Sequence, residues 1–421
     1  MLDIQYIRDN AEAVKKAATA KGVKINVKAL LALDADKRDL QHKIESSRQQ
    51  KNQASLKISE AAADDRVVLI QEMKKVDQQE TALKKEWEKV DAEWHQLMLD
   101  IPNPPAPDVV ISKNAAGNQI IRTYGQPTSF DFEPKDYLTL TSHNQTVDIK
   151  RAAKVSGTRF GYLKGEVAEL ALALTHLGFS RLIEEGFTPV LPPVLVGGRA
   201  MKAMGYLEHG GDDETYYFAK DDLYLVGTSE QSVGAMHLDE ILNVEELPKR
   251  YVAYSSCFRR EAGSYGQDTK GIFRVHQFEK LEMISFCHPD ESDKEHEHLL
   301  RIEEDLMQAL DLPHQVVKMC SVELGLPAAR KYDIETWLPS EKRYRETHSC
   351  STTTDFQARR LNTRFKDHDQ KNKLVHILNG TVIPVQRLVI MIIENYQQAD
   401  GSVAVPTVLR KYLGKDVILR K

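Results

Sequence analysis

From residue 69 onward apolar side chains recur at alternating steps of four and three: Leu69, Met73, Val76, Leu83, Trp87, Val90, Trp94, Leu97 and Ile101, with only Glu80 interrupting. A seam of that period over four heptads predicts a coiled coil. A weaker seam precedes it through Leu30, Leu33, Leu40, Ile44, Ala54 and Ile58, with Lys37, Ser47 and Lys51 in its gaps. Between the two, Ala61-Ala62-Ala63-Asp64-Asp65 is short enough to be a reversal, so the helices run antiparallel. Pairing about that turn puts Leu40 near Trp87 and Ile44 near Leu83. Helices of roughly 30 residues reach about 45 Å at 1.5 Å per residue, so the first hundred residues predict a long hairpin arm.

The composition of that segment agrees. It has no Pro and a single Gly (Gly22), and is rich in Ala, Lys, Glu, Gln and Leu, which favours long helices. Ile101-Pro-Asn-Pro-Pro-Ala-Pro-Asp then ends the helix, because proline lacks the donor needed to continue it. The organisation expected is an N-terminal domain over 1–105 with the coil at about 27–100, a linker over 106–130, and one further domain over 131–421. In that domain helical periodicity covers Gly165–Glu185, Glu291–Leu310 and Val385–Gln397. Strand-like runs fall at Leu223–Val226, Arg250–Tyr254, Lys280–Phe286 and Leu374–Ile377. Strands joined by a hairpin rather than by crossover helices predict an α+β fold, an antiparallel sheet flanked by helices. No Gly-x-Gly-x-x-Gly and no Gly-x-x-x-x-Gly-Lys-Ser/Thr occurs, which disfavours a Rossmann or P-loop nucleotide site.

With 28% charged residues and a net charge of −5, the chain is not a generic polycation for polyanions, although a local RNA site remains compatible. Its four cysteines (Cys257, Cys287, Cys320, Cys350) are far apart with no Cys-x-x-Cys spacing, so neither zinc nor a disulfide framework is expected. A reducing compartment is the simpler expectation. The N-terminus has no apolar signal core and no run of 18 apolar residues exists, so no membrane span is expected and the location is the cytoplasm. Toward the tip of the arm gather Arg48, Lys51, Lys57, Arg66, Lys74 and Lys75. Cations on a rigid rod can track an RNA backbone, which is read by shape and phosphate position. A dimerisation or scaffolding coil, or a merely solvated surface, fits the same pattern.

The densest candidate chemistry runs from Phe258 to Glu282. Strand-like ends flank a polar middle containing Gly263, Gly266 and Gly271, which reads as a long hairpin loop. Arg259 and Arg274 stand at its two edges, and a planar guanidinium on each side suits clamping phosphate oxygens. Three further segments join it: Thr228-Ser229-Glu230 after an apolar strand, Arg345-Glu346-Thr347-His348-Ser349-Cys350-Ser351, and Leu378-Asn379-Gly380-Thr381 leading through Gln386-Arg387 into an apolar helix. On these residues, the arm and the Ile-Pro-Asn-x-Pro linker, the chain resembles the bacterial-type seryl-tRNA synthetases, a family of class II aminoacyl-tRNA synthetases. The resemblance spans nearly the whole chain, with the three class motifs around Gly186–Pro193, Phe258–Glu282 and Asn379–Arg387.

The resemblance implies serine–tRNA ligation: L-serine and ATP form seryl-adenylate, and serine passes to the 3′ end of tRNA(Ser), with tRNA(Sec) a further candidate. It places Arg259 on the α-phosphate and the serine carboxylate, Glu261 near adenine, Arg274 toward the γ-phosphate, Phe278 on the adenine ring and Arg387 across the triphosphate. Arg260, Val275, Thr347 and His348 join the implied ATP site, and Glu346 with Ser349 the Mg²⁺ site, since hard oxygens suit that ion. Thr228, Ser229, Glu230, Arg259, Glu282, Asn379 and Thr381 match the serine pocket, with Glu230 on the ammonium and Glu282 on the hydroxyl. The loop Gly-Ser-Tyr-Gly-Gln-Asp-Thr-Lys-Gly is implied to meet the tRNA acceptor end, and the arm, through Arg48, Lys51, Lys57, Lys74 and Lys75, its long variable arm. A homodimer through the first motif is also implied.

The chain departs from the family pattern at Thr347-His348, at Ser351-Thr352, within Thr381-Val382-Ile383-Pro384 and at Gln386, positions that edge the pocket. Two other activities stay open: ligation of a small amino acid to a carrier protein, and a catalytically silent RNA-binding paralogue. Relatives of the first kind lack the arm; those of the second usually lose Arg259, Arg387 or Glu346, all present here. His296 and His298, among helical charges, are expected to be solvated, Trp87 and Trp94 to be seam core, and Cys350 to take no chemical part.

Overall fold

The structure, a computed structural model, describes residues 1–262 and 270–419, the side chains of residues 63 and 64 excepted. Of the loop expected to meet the acceptor end, Gly263–Gly271, all but Lys270 and Gly271 therefore lie outside the described residues. The chain forms two compact units, residues 1–19 with 23–102 and residues 20–22 with 103–421.

In the first unit, helix α1 (Val27–Glu60) and helix α2 (Ala63–Leu99) form the antiparallel pair. The heptad positions face inward as the periodicity predicts: Leu30, Leu40 and Ile44 are buried, each worth about 1.5–3 kcal/mol. The gaps in the weaker seam have partners. Lys37 lies 3.7 Å from the Trp94 ring centroid and 2.5 Å from Asp91, a cation–π contact beside an ion pair. Lys51 meets Asp77 and, at 3.0 Å, Glu80, the one polar residue of the stronger seam. Lys84 and Lys51 hold the Glu80 carboxyl at about 2, its burial notwithstanding. Lys51 is thus a partly buried seam residue paired with two carboxylates, while Arg48, Lys57, Lys74 and Lys75 are exposed. Among the described residues no helix is long and apolar enough to cross a membrane.

The second unit is built on one sheet. Its strands are β1 (Gln119–Tyr124), β2 (Thr188–Val190), β3 (Lys249–Phe258), β4 (Gln277–Cys287), β5 (His314–Lys318), β6 (Arg330–Leu338), β7 (Arg343–Thr352) and β8 (His376–Pro384). They lie in the order β1-β5-β6-β7-β8-β4-β3-β2, antiparallel except where β2 joins β3. Helices α3 (Glu166–Glu184), α4 (Ser292–Ala309) and α5 (Val385–Asn395) pack on it. This is the α+β arrangement expected.

Alternation decides what each strand shows to each face. On β8, Gly380 pairs with Met283 of β4 and with Cys350 of β7, and this row faces α4. The flanking Asn379 and Thr381 face the opposite side, as do Ser349 and Ser351 of β7. The expected solvation of His296 fails for the same kind of reason. It shares the buried face of α4 with Leu299, Leu300 and Glu303, its ring centroid lies 5.0 Å from that of Tyr332 at a tilt of 42°, and burial lowers its pKa to about 4. His298 is partly buried beside Glu185.

Candidate active site

The front face of the sheet opens on a cavity of about 320 Å³. Its phosphate-facing wall comes from the hairpin edges. The Arg259 amide bonds the His276 carbonyl at 3.0 Å, continuing the ladder past the strand ends, and its guanidinium lies 5.2 Å from the Phe278 ring centroid. Arg274 forms an ion pair with Glu261, whose φ of 53° is in the left-handed region. Across the cavity Arg387 bonds both the Glu346 carboxylate and its carbonyl at 3.1 Å. Burial alone would raise the Glu346 carboxyl, but Arg387, Lys331 and Arg259 outweigh it and hold the group below the usual carboxylate range. Phe273 lies beneath both Arg345 (4.0 Å) and Arg387 (5.1 Å).

The inner end is smaller and more buried. Glu230 follows Thr228, whose hydroxyl accepts the Glu230 amide at 3.3 Å. The Glu230 carboxylate takes the Tyr206 hydroxyl at 2.6 Å and the Gln357 amide at 2.9 Å; burial shifts its pKa upward. Glu282 pairs in register with Thr381, and its two oxygens accept the hydroxyls of Thr228 (3.3 Å) and Thr381 (3.5 Å). Lys280, two residues earlier on the same face of β4, forms an ion pair with Glu282.

Most residues expected in the site meet here: Thr228, Glu230, Arg259, Glu261, Arg274, Val275, Phe278, Glu282, Glu346, Thr347, Ser349, Asn379, Thr381 and Arg387 all line the cavity. Three do not. Ser229 is buried against the Ala253 carbonyl (3.5 Å), and Arg260 lies over the Tyr216 ring (5.9 Å). His348 shares its parity with Cys350 and turns to the back of the sheet. There its ring bonds the Thr347 hydroxyl (2.8 Å) and the Val382 carbonyl (3.2 Å), and burial lowers its pKa to about 3. A register shift opposite Ile334 and Glu335 lets both Glu346 and Thr347 reach the front. Gln386 bonds the Glu279 amide at 3.0 Å, tying the start of α5 to β4.

Sequence reasoning missed Lys280, Tyr206, Phe273 and Lys331. The signal for Lys280 was the step of two from Glu282; the others come from segments distant in the chain. It also missed Glu303. This side chain of α4 lies behind the serine-pocket strands, fully buried, and neither of its oxygens has a hydrogen-bond partner among the described residues. Burial, then the carboxylates of Glu282 and Asp333, raise its pKa well above the ordinary value. A Cβ on Gly380 would lie 2.8 Å from the Glu303 carboxyl oxygen, so glycine makes room for it.

For a divalent ion, Glu346 and Ser349 offer a carboxylate and a hydroxyl facing one space, a hard-oxygen set that fits Mg²⁺. Among the described residues no group of three His, Cys, Asp or Glu side chains converges as a metal cage. Phosphate oxygens would supply the remaining ligands.

Comparisons with known proteins agree with this geometry. Residues 1–105 match the seryl-tRNA synthetase N-terminal domain, and residues 216–396 the class II tRNA synthetase core domain for Gly, His, Pro, Ser and Thr. The serine–tRNA ligase of Thermobifida fusca is 41% identical over 99% of both chains, and that of Cutibacterium acnes 43% over 98% of both. The seryl-tRNA synthetase of Pyrococcus horikoshii complexed with ATP is similar in structure, with a TM-score of 0.91 at 37% identity over 99% of both chains. The cytoplasmic serine–tRNA ligase of Naegleria fowleri in complex with AMP has a TM-score of 0.86 at 30% identity, covering 99% of this chain and 98% of that one.

Proposed function

We infer that this chain, which belongs to the seryl-tRNA synthetase family, activates L-serine with ATP and transfers it to tRNA(Ser). The observation carrying this reading is the meeting of Arg259, Arg274 and Arg387 with Glu230 and Glu282 in one cavity. A serine carboxylate is already ionised at neutral pH, so its attack on the α-phosphorus needs no general base. It needs relief of repulsion between two anions. Arg259 takes the serine carboxylate and the α-phosphate, Arg274 the γ-phosphate, and Arg387 the opposite side of the triphosphate. They also stabilise charge on the departing pyrophosphate. Mg²⁺, held by Glu346 and Ser349, would neutralise phosphate charge further.

Phe278 offers its face to adenine, and Glu261 orients Arg274 near it. Glu230 takes the substrate ammonium, and Glu282, with Thr228 and Thr381, the hydroxyl. In the second step the 3′-hydroxyl of the terminal tRNA nucleotide attacks the acyl carbon and AMP leaves. Exposed Arg48, Lys57, Lys74 and Lys75 supply cations for the RNA backbone, and tRNA(Sec) would be gripped in the same way. The apolar side chain of Leu191, 80% exposed in the first motif, with that of Leu172, 68% exposed on the preceding α3, supports a homodimer through that region. The cytoplasm is the location that this reading supports.

The test is ATP–pyrophosphate exchange with serine, alanine, threonine and glycine. Exchange with serine is expected, alanine should be disfavoured by roughly 10⁴-fold because it leaves the buried hydroxyl acceptor unpaired, and Glu282→Ala should lower serine exchange by orders of magnitude. No exchange with any amino acid would overturn the enzymatic reading; unchanged exchange in the variant would remove Glu282 from the pocket.

A further inference from the structure

The two carboxylates of the inner pocket are equipped differently. The side-chain donors to Glu230 are neutral, a tyrosine hydroxyl at 2.6 Å and an amide at 2.9 Å. Glu282 instead carries a cation, Lys280, with two threonine hydroxyls at 3.3 and 3.5 Å. Lys280 is itself nearly buried, its side chain 10% exposed against 2% for Glu282, so water screens the pair little. The inner pocket therefore holds Glu230 and Glu282 against Lys280 and Arg259, a set summing to zero charge. A zwitterion entering it is balanced only if its ammonium goes to the carboxylate lacking a cation.

We propose that Lys280 is the charge-specificity determinant of this pocket: by satisfying Glu282 it reserves that carboxylate for a hydroxyl and bars an amino acid carrying a second ammonium there. The inference rests on the serine-activating reading and deepens it. Glu282 keeps acceptor capacity beside its two threonine donors, because an ionised carboxylate offers about four lone-pair directions. A hydroxyl adds one neutral donor. A side-chain ammonium adds a second buried cation beside Lys280, uncompensated, which disfavours it by about 10²–10³-fold. Lys280 acts through Glu282 and is a positioning residue. Size alone offers no such discrimination, since the –CH₂–NH₃⁺ of L-2,3-diaminopropionate nearly matches the –CH₂–OH of serine.

The experiment is ATP–pyrophosphate exchange at mildly acid pH, where both amines of diaminopropionate are protonated, using the full chain, Lys280→Met and Lys280→Arg. Wild type is expected to activate serine, with diaminopropionate a competitive inhibitor about 10²-fold weaker than the serine KM. Lys280→Met should lose serine kcat/KM about 10²-fold and gain activation of diaminopropionate, reversing the preference. Lys280→Arg should keep the serine preference. A wild-type inhibition constant near the serine KM overturns the proposal without any variant. So does a folded Lys280→Met whose serine kcat/KM falls with no gain in activation of diaminopropionate, since a merely structural lysine predicts no change in preference. Failure of wild type to exchange with any amino acid refutes the family reading, a different result from either.

Discussion

Replacing Glu303 by Gln should change how stability responds to pH. The side chain is fully buried on α4 without hydrogen-bond partners for its oxygens among the described residues. The charged groups felt there are Glu282, Asp333, Glu304 and Lys280, three acids against one base. Burial and those acids raise its folded-state pKa above the unfolded value of about 4.3. For an acid shifted upward the native state binds a proton the unfolded state releases. Stability is therefore greatest below the unfolded pKa and falls as pH climbs toward the folded one. The slope is about 1.4 kcal/mol per pH unit while that proton is retained, hence at most about 2.7 kcal/mol between pH 5 and pH 7. For the unit spanning 103–421, average unfolding entropies convert this to a shift of roughly 4 °C. Glu230, Asp333 and Glu394 are raised too and add the same sign, so only the difference between wild type and variant is diagnostic. Glu303→Gln keeps the shape and loses the titration. Thermal unfolding without substrates should show the variant gaining on wild type by about 4 °C from pH 5 to pH 7. A gap that stays constant across that range would refute a retained proton.

The close approach at Gly380 gives a second test. Gly380→Ala places a methyl 2.8 Å from Glu303 and 3.0 Å from Met283, and overpacking of that kind costs about 1–3 kcal/mol. Adding Glu303→Ser should recover part of the loss in a double-mutant cycle of thermal unfolding, whereas strictly additive effects would separate the two residues. In the arm, Lys51→Met with Glu80→Leu should melt above Lys51→Met alone, because an apolar pair replaces a buried seam carboxylate that keeps Lys84 but has lost its partner on the facing helix. The wild-type pair should also weaken as pH falls through the depressed Glu80 pKa of about 2, its contribution being present above the unfolded carboxylate range. Equal melting of single and double variants would place Glu80 outside the seam energetics.

The arm was legible because its seam obeys one period for many turns, and even its interruptions, Lys37, Lys51 and Glu80, fall at seam positions. The hairpin from Arg259 to Arg274 was legible because glycines and arginines mark its edges. Strands β6 and β7 were harder. On β6 the buried Tyr332, Ile334 and Thr336 alternate with Lys331, Asp333 and Glu335, and the neighbouring β7 carries polar side chains into the cavity, so no apolar run announces either. His348 went astray because adjacency in sequence cannot give parity: it follows a site residue, and a register shift puts both Glu346 and Thr347 on the front. Glu303 reads as surface in Glu303-Glu304-Asp305, and only the glycine opposite reveals the space it fills.

Lys37 with Asp91 and Lys51 with Glu80 act on the arm as the teeth of a ruler. Each tooth engages at one register, and sliding one helix past the other by a heptad, about 10.5 Å, would part Lys37 from Asp91 and Lys51 from Glu80. An insertion in α1 alone, between the teeth, cannot be absorbed. An arm of this design can lengthen only by matched heptads in both helices. Its reach is therefore inherited in whole steps, and a lineage that keeps both teeth keeps the measure.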